Sequence, residues 1–266
     1  MKNKNLFSLK NQKIIIFGGN GKLGQNFLKT FLSYNAKKII VADIKNNKKK
    51  IKKVDNYICD VSNENNVNDF FKTIIKKEKK IDTLIYNIYA KPINYYKLDL
   101  EYDFKTWRKV IDVNLNGAYF VSQKIINHFI KKKIKGKIIF LLSTYGLVSP
   151  DLRIYKGLSK KKNIYGGKYA LTTPAAYTSS KSGLLGLTKY LATSYGKFGI
   201  RVNSLTPGGI FDKQEKKFVK NYSNNVPLNR MANWSEYNGP IVFLASDASS
   251  YMNGSNLIVD GGWTAW

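Results

Sequence analysis

The chain has 266 residues, 43% of them hydrophobic, which is enough apolar material for a sizeable core and a length ordinary for one domain. No stretch approaches the roughly 18 apolar residues of a membrane span, the Lys-Asn-rich start leads only into a short strand-like run from Ile14 to Phe17 rather than a signal peptide, and the lone Cys59 excludes an intrachain disulfide or a cysteine-cluster metal site and fits a reducing compartment, the cytoplasm. Lys and Arg number 45 against 17 Asp and Glu, for a net charge of +28, yet the excess is almost all Lys and travels with Asn, Ile, Tyr and Phe, residues of AT-rich codons, so genome composition is preferred here over a surface for nucleic acid or membrane.

In chain order, short β-branched runs alternate with amphipathic segments of helical length. Lys13 to Phe17 reads as the first strand. Leu23, Phe27, Leu28, Phe31 and Leu32 then recur at helical spacing, which lays one apolar stripe on a sheet while Lys29 faces water. Lys38 to Ala42 and Tyr57 to Cys59 are the next strands, followed by a second helical stripe of Val67, Phe70, Phe71, Ile74 and Ile75. Thr83 to Tyr86, Lys137 to Leu142, Arg201 to Leu205 and Asn256 to Val259 bring the strands to seven. This alternation predicts an α/β fold, a doubly wound parallel sheet flanked by helices on both faces. With no internal repeat and no linker, one domain is expected over 1–266. The lysine runs at 48–53, 76–80 and 131–137 read as solvated helix ends and loops, without the stacking aromatics of a nucleic-acid surface. Residues 149–174 differ: Ser149-Pro150, Gly157 and Gly166-Gly167 punctuate a basic, Tyr-containing stretch without periodicity, and loops of that length are usually functional or disordered.

Directly after the first strand comes Gly18-Gly19-Asn20-Gly21-Lys22-Leu23-Gly24, which opens the first amphipathic helix. Glycines there let the backbone turn tightly and approach a diphosphate seated on the partly positive helix N-terminus. Asp43 stands at the end of the second strand, 25 positions beyond Gly18. A carboxylate so placed accepts hydrogen bonds from ribose hydroxyls and repels a 2′-phosphate, which favours NAD over NADP. Lys22 and Lys45 leave NADP open, since either could meet that phosphate if the loops curl inward.

Hydride chemistry at a carbinol carbon needs a group that moves the oxygen-bound proton. Tyrosine, with a pKa of about 10, is a poor base until tuned. Tyr177-Thr178-Ser179-Ser180-Lys181 begins a predicted helix whose spacing puts Tyr177 and Lys181 on one face, where the ammonium favours phenolate. His128 is the sole histidine and is placed at the surface or a helix end; with no ligand cluster, no metal is expected.

These landmarks, with Asp60 in Cys59-Asp60-Val61, Asn87, Asn114 in Val113-Asn114-Leu115-Asn116-Gly117, Ser143, Pro207-Gly208 and Asp260-Gly261-Gly262, resemble the short-chain dehydrogenase/reductase family over nearly the whole length. The resemblance implies a Rossmann-type domain in which Tyr177 is the general acid/base, Lys181 tunes it and holds the nicotinamide ribose, Ser143 bonds the substrate oxygen, and Asn114 supports a relay water. It further implies that Gly18, Asn20, Gly21, Lys22, Leu23 and Gly24 cradle the cofactor, that Asp60 and Val61 meet the adenine, and that Asn87 lines the cleft. Pro207, Gly208 and Ile210 would cover the nicotinamide. A homodimer or homotetramer acting on a small molecule is expected. The sequence departs from the family at Phe17 (usually Thr), at Lys22 (usually Gly), at Tyr86-Asn87-Ile88-Tyr89 (usually Asn-Asn-Ala-Gly) and at Asp212 (often a Thr that binds the nicotinamide amide).

Ser143 and Tyr177 lie 34 positions apart, against about a dozen in the family. The extra residues, about 149–174, should overhang the substrate mouth, and Arg153, Lys156, Lys160, Lys161, Lys162 and Lys168 against Asp151 would suit an anionic substrate such as a phosphorylated or nucleotide-linked sugar; solvated lysines are the equally weighted reading. Pro174-Ala175-Ala176-Tyr177, and the segments from Pro207 to Asp212 and through Gly261-Gly262-Trp263, are also similar to a branch involved in flagellin-modification and nonulosonate sugar pathways. The expected function is interconversion of a secondary alcohol and a ketone on a sugar derivative. The alternatives are a 3-oxoacyl-thioester reductase and, from another class, a catalytically silent NAD-binding regulator or scaffold.

Overall fold

A computed structural model describes residues 5–47, 49–158, 163 and 169–266. Seven strands form one parallel sheet in the order β3-β2-β1-β4-β5-β6-β7. They are β1 (Lys13–Phe17), β2 (Lys38–Asp43), β3 (Val54–Ile58), β4 (Thr83–Tyr86), β5 (Lys137–Leu141), β6 (Arg201–Pro207) and β7 (Asn256–Val259). Three coincide with the predicted bounds. The third begins upstream of Tyr57 because VDNYI is a half-exposed edge strand with no apolar run to mark it. Chain order reverses between β1 and β4, the switch point at which doubly wound sheets open a crevice beyond their strand ends.

Helices cover both faces. On one, α1 (Lys22–Ser33) and α7 (Asn238–Ala245) pack Phe27, Phe31, Ile241 and Leu244 against Ile14, Ile16, Ile39 and Val41. On the other, α2 (Glu64–Glu78), α4 (Gly117–Lys131) and α5 (Ala175–Tyr195) pack Phe70, Phe71, Ile125, Phe129 and Leu184 against Ile15, Phe17, Ile40 and Phe140. Burying each such side chain contributes roughly 1.5–3 kcal/mol before entropy is counted. The β1 run Ile14-Ile15-Ile16-Phe17 supplies both cores, which is why it is continuously apolar and not alternating. α3 (Phe104–Ile111) runs into α4 through one π-helical turn, Asp112–Asn116. α6 (Lys216–Ser223) packs Phe218 and Tyr222 against Tyr145, Ile154 and Trp263. Among the described residues no helix is long and apolar enough to cross a membrane.

Two placements correct the sequence reading. His128 is at a helix end but buried, on the inward side of α4 beside Phe129. Lys137 opens β5 and is buried too, and desolvation pushes its ammonium down to about 8. Both follow from α4 and β5 carrying their inward faces through to their ends.

Candidate active site

Strand register assembles the first half of the site. Phe17 is level with Ala42 on β2 and Tyr86 on β4, so Gly18, Asp43 and Asn87 emerge together at the C-terminal edge of the sheet. Gly18 has φ +77° and leaves no room for a side chain, since a Cβ would lie 2.5 Å from the Asn87 carbonyl oxygen. Gly24 is closed by contact: its Cβ would stand 2.3 Å from the Gly18 carbonyl oxygen. Asn87 braces the loop by donating Nδ2–H to that same carbonyl at 3.2 Å. Gly21 caps α1 with no side-chain hydrogen bond, so no cap side chain competes for the first-turn amides of Lys22, Leu23 and Gly24, a helix start able to receive an anion. A cradle with no space for Cβ atoms and an uncapped helix start fits a dinucleotide diphosphate.

Asp43 is fixed at the mouth of this cradle. Its carboxylate accepts the Asn20 amide at 3.0 Å and the Lys45 amide at 3.1 Å, while Asn20 Nδ2 donates to the Lys45 carbonyl at 2.7 Å. Asp60 and Val61 follow β3. Burial works against the Asp60 carboxylate, but hydrogen bonds from Ser62 N (2.9 Å) and Ser62 Oγ (2.6 Å), with Lys109 at 3.8 Å, outweigh it and hold the group below the ordinary carboxylate range. Val61 buries its side chain against Gly117, so it can offer a ligand only its main chain.

The second half gathers at β5, β6 and α5. Leu141 is level with Leu205, which brings Ser143 out at the edge where Pro207 and Gly208 leave β6, while Ile210 bridges to Ala232 and packs against the core under α1 and α7. Tyr177 and Lys181 lie one turn apart on α5, as the spacing predicts. Lys181 is 3% exposed; its ammonium sits 5.8 Å from the Tyr177 ring centroid and donates to the Leu141 carbonyl at 2.6 Å. Desolvation lowers that ammonium to about 7. Burial also raises the Tyr177 phenol above the tyrosine range, opposed by a hydrogen bond from Ser143. The expected lowering of Tyr177 by Lys181 is therefore not the governing effect in this geometry, because the lysine is spent on a carbonyl and is itself desolvated. Asn114 sits within the π turn, fully buried, with Oδ1 accepting the Ala90 amide at 2.8 Å and Nδ2 donating to Ser180 Oγ at 2.9 Å; Ser180 in turn donates to the Tyr177 carbonyl at 2.7 Å. The Tyr86 phenol donates to the Val113 carbonyl in the same turn.

Several participants carried no spacing signal. Tyr89 stands edge-on to Tyr177 at 5.9 Å, and Lys91 Nζ lies 4.9 Å from the Tyr89 ring centroid. Tyr145, Ile154, Phe218, Tyr222 and Trp263 form an aromatic cluster against which Tyr177 packs, with Tyr222 stacked on Trp263 at 4.5 Å. The described part of the 149–174 segment belongs to it. A 3₁₀ turn, Leu152–Tyr155, buries Ile154, and Tyr155 Oη meets Thr173 Oγ1 at 2.6 Å. Arg153, expected to serve an anion, is engaged by Asp151 at 2.8 Å. Lys160, Lys161, Lys162 and Lys168 lie outside the described residues. Among the described residues, no group of three or more His, Cys, Asp and Glu is placed to hold a metal ion.

Comparison with known proteins agrees with this geometry. Residues 12–160 match the family model for short chain dehydrogenases, and residues 161–264 match one described as enoyl-(acyl carrier protein) reductase. The NADH-dependent L-xylulose reductase of Ambrosiozyma monospora is 29% identical, covering 95% of this chain and 94% of its own. The 2-dehydro-3-deoxy-D-gluconate 5-dehydrogenase of Pseudoalteromonas atlantica is 33% identical over 78% of this chain and 74% of its own. A short chain dehydrogenase from Leptospira borgpetersenii, solved with bound NAD+, superposes with a TM-score of 0.87 at 30% identity, covering 99% of this chain and 97% of that one. With the parallel sheet, the glycine cradle and the Ser143, Tyr177 and Lys181 cluster already in place, the chain belongs to the short-chain dehydrogenase family, oxidoreductases that act on CH–OH groups with a nicotinamide dinucleotide.

Proposed function

We propose that this protein interconverts a secondary alcohol and a ketone on a sugar derivative, with Tyr177 as general acid/base. The observation that carries the reading is the convergence of Ser143, Tyr177 and the buried Lys181 where β5 and the start of α5 meet. A bound nicotinamide supplies the hydride acceptor or donor. In the oxidative direction Ser143 would hold the substrate oxygen, Tyr177, once its own proton has passed to the relay water and on to solvent, would take the hydroxyl proton, and the C–H electron pair would pass as hydride to the nicotinamide. Lys181 passes its charge toward the phenol and the ribose once drawn from Leu141, and Asn114 positions a relay water. In the reductive direction Tyr177 returns the proton. Gly18, Asn20, Gly21, Lys22, Leu23, Gly24 and Asn87 hold the dinucleotide, Asp60 and Val61 the adenine, and Pro207, Gly208 and Ile210 the nicotinamide.

NAD is the preferred cofactor in this reading. The Asp43 carboxylate, held by two amides at the cradle mouth, suits two ribose hydroxyls and repels a 2′-phosphate. Lys22 is turned to Asp212 and away from that role. The sugar assignment is supported by relatives named for L-xylulose and 2-dehydro-3-deoxy-D-gluconate. Within it we favour an anionic sugar, phosphorylated or nucleotide-linked, in a glycan or nonulosonate pathway, with Lys91 and Lys156 as basic groups on the substrate side. The family model over residues 161–264 keeps an acyl-thioester reductase as the second reading. A single domain over 1–266, a homodimer or homotetramer joined through exposed Tyr119, Phe120 and Tyr190 on α4 and α5, and a cytoplasmic location complete the proposal. Screening sugar acids, polyols, sugar phosphates, nucleotide sugars and 3-oxoacyl thioesters for NAD(H)-linked absorbance change tests it. Turnover confined to the thioesters selects the second reading, and Tyr177→Phe must lower whichever turnover is found by about 10²-fold or more.

A further inference from the structure

Two departures from the family pattern meet in space. Lys22, the first residue of α1, reaches across 190 positions of chain to Asp212 in the segment after β6, with Nζ 2.7 Å from Oδ1 and 2.5 Å from Oδ2. The partners are unequal. The lysine side chain is 69% exposed and the aspartate 16%, so the carboxylate is the fixed member and the ammonium comes to it. Asp212 is set in a built turn: its amide donates to Gln214 Oε1 at 2.6 Å, buried Gln214 donates back to the Ile210 carbonyl at 2.8 Å, and Lys213 between them takes φ +63°.

The pair lies between the two halves of the site. On one side is the uncapped start of α1 with its glycine cradle. On the other, the Tyr89 phenol, raised first by desolvation and then by the Asp212 carboxylate, is pulled back by Lys22, and that same ring is edge-on to Tyr177. A dinucleotide running from the cradle to Tyr177 must pass this place. An unneutralised carboxylate there would repel its diphosphate, whereas an ammonium with three donors can serve a carboxylate and a phosphate together.

We propose that Lys22 and Asp212 act in cofactor binding as one unit, the Lys22 ammonium shared between the Asp212 carboxylate and the diphosphate so that the segment after β6 is fastened over the bound dinucleotide. This rests on the nicotinamide reading above. It also explains two substitutions that look adverse singly: the lysine makes the aspartate compatible with an anion, and the aspartate aims the lysine.

The test is a set of NADH titrations followed by protein-to-nicotinamide fluorescence transfer in moderate salt, on the parent, Lys22→Met, Asp212→Asn and the double variant. Lys22→Met should weaken NADH binding about tenfold or more while Asp212 keeps its charge, and by no more than about threefold in the Asp212→Asn background. Lys22→Gly should lose affinity likewise, and Lys22→Gly with Asp212→Thr, the family's own residues, should regain it. Equal losses in both backgrounds, or unchanged affinity on removing Lys22, overturn the shared ammonium. If the parent itself binds neither NADH nor NADPH, the nicotinamide reading falls and the clasp with it, a result distinct from intact binding without coupling. Melting temperatures of the six proteins separate misfolding from lost affinity, since an exposed ion pair adds little to stability.

Discussion

Around Gly18 the groups are held by main chain and by neighbours close in the fold. Asp43 takes two amides, Asn87 grips a glycine carbonyl, and strand register alone delivers them to one edge. Around Tyr177 the supports come from many separate elements: Ser143 from just after β5, Asn114 from a π turn, Tyr89 from the loop after β4, Ile154 from the inserted segment, Tyr222 from α6 and Trp263 from near the C-terminus. Backbone cradles tolerate little variation in shape and serve a ligand shared across many enzymes. Side-chain packing can be rebuilt residue by residue, which suits a site that must differ from one enzyme to the next.

Tyr177 carries the hydroxyl to which the proposed function assigns proton transfer, and removing it should separate the two regions. Tyr177→Phe should lower turnover by about 10²–10⁴-fold while NADH affinity changes by less than about twofold. Steady-state rates beside fluorescence titrations check it, and a large loss of affinity would merge the two halves. Next in size, Ile154→Ala should cost roughly 2–4 kcal/mol in urea unfolding, because Ile154 is 1% exposed within the aromatic cluster, and should raise the substrate KM more than the NADH Kd. Equal effects on both constants would show that the cluster supports the cradle too.

A third prediction concerns pH. Lys181 is held at about 7 when folded, against an unfolded value near 10.5. The unfolded chain therefore binds more protons between those values, so the stability penalty of this lysine is full below pH 7 and is relieved as pH rises toward 10.5. From pH 7 to 9 the parent should gain about 2 kcal/mol relative to Lys181→Met, read from paired urea unfolding curves. Parallel curves would show that the ammonium is not desolvated. The smallest effect is at the cradle: Asp43→Ala should move the NAD to NADP preference about tenfold toward NADP, measured as the ratio of kcat/KM values. An unchanged ratio would remove Asp43 from cofactor choice.

The cofactor half was legible because its determinants are short-range. A strand, a glycine string, a helix and an acid at the next strand end occur in one stretch, and strands such as Lys13–Phe17 are apolar runs with clear ends. The chemical pair was legible for the same reason, four residues on one helix face. What escaped involves contacts without spacing. Nothing in the order of residues says that Lys22 will meet Asp212, that Tyr89 will stand against Tyr177, or that Lys181 will spend its proton on Leu141. His128 and Lys137 lie at the helix end and strand start expected of them but are buried, because a charge or a lone polar residue near such an end looks solvated until the opposite face is known.

The short helix α6 gives the two halves a common joint. Asn221 donates to the Ile154 carbonyl of the inserted turn at 3.0 Å, and the next residue, Tyr222, accepts the Gly209 amide at 2.6 Å in the segment that follows Pro207. Displacing either piece alone breaks a hydrogen bond of about 1 kcal/mol; swinging both with α6 breaks neither. The inserted turn and the segment after Pro207 are thus coupled through one short helix, so that a shift of either is felt by the other.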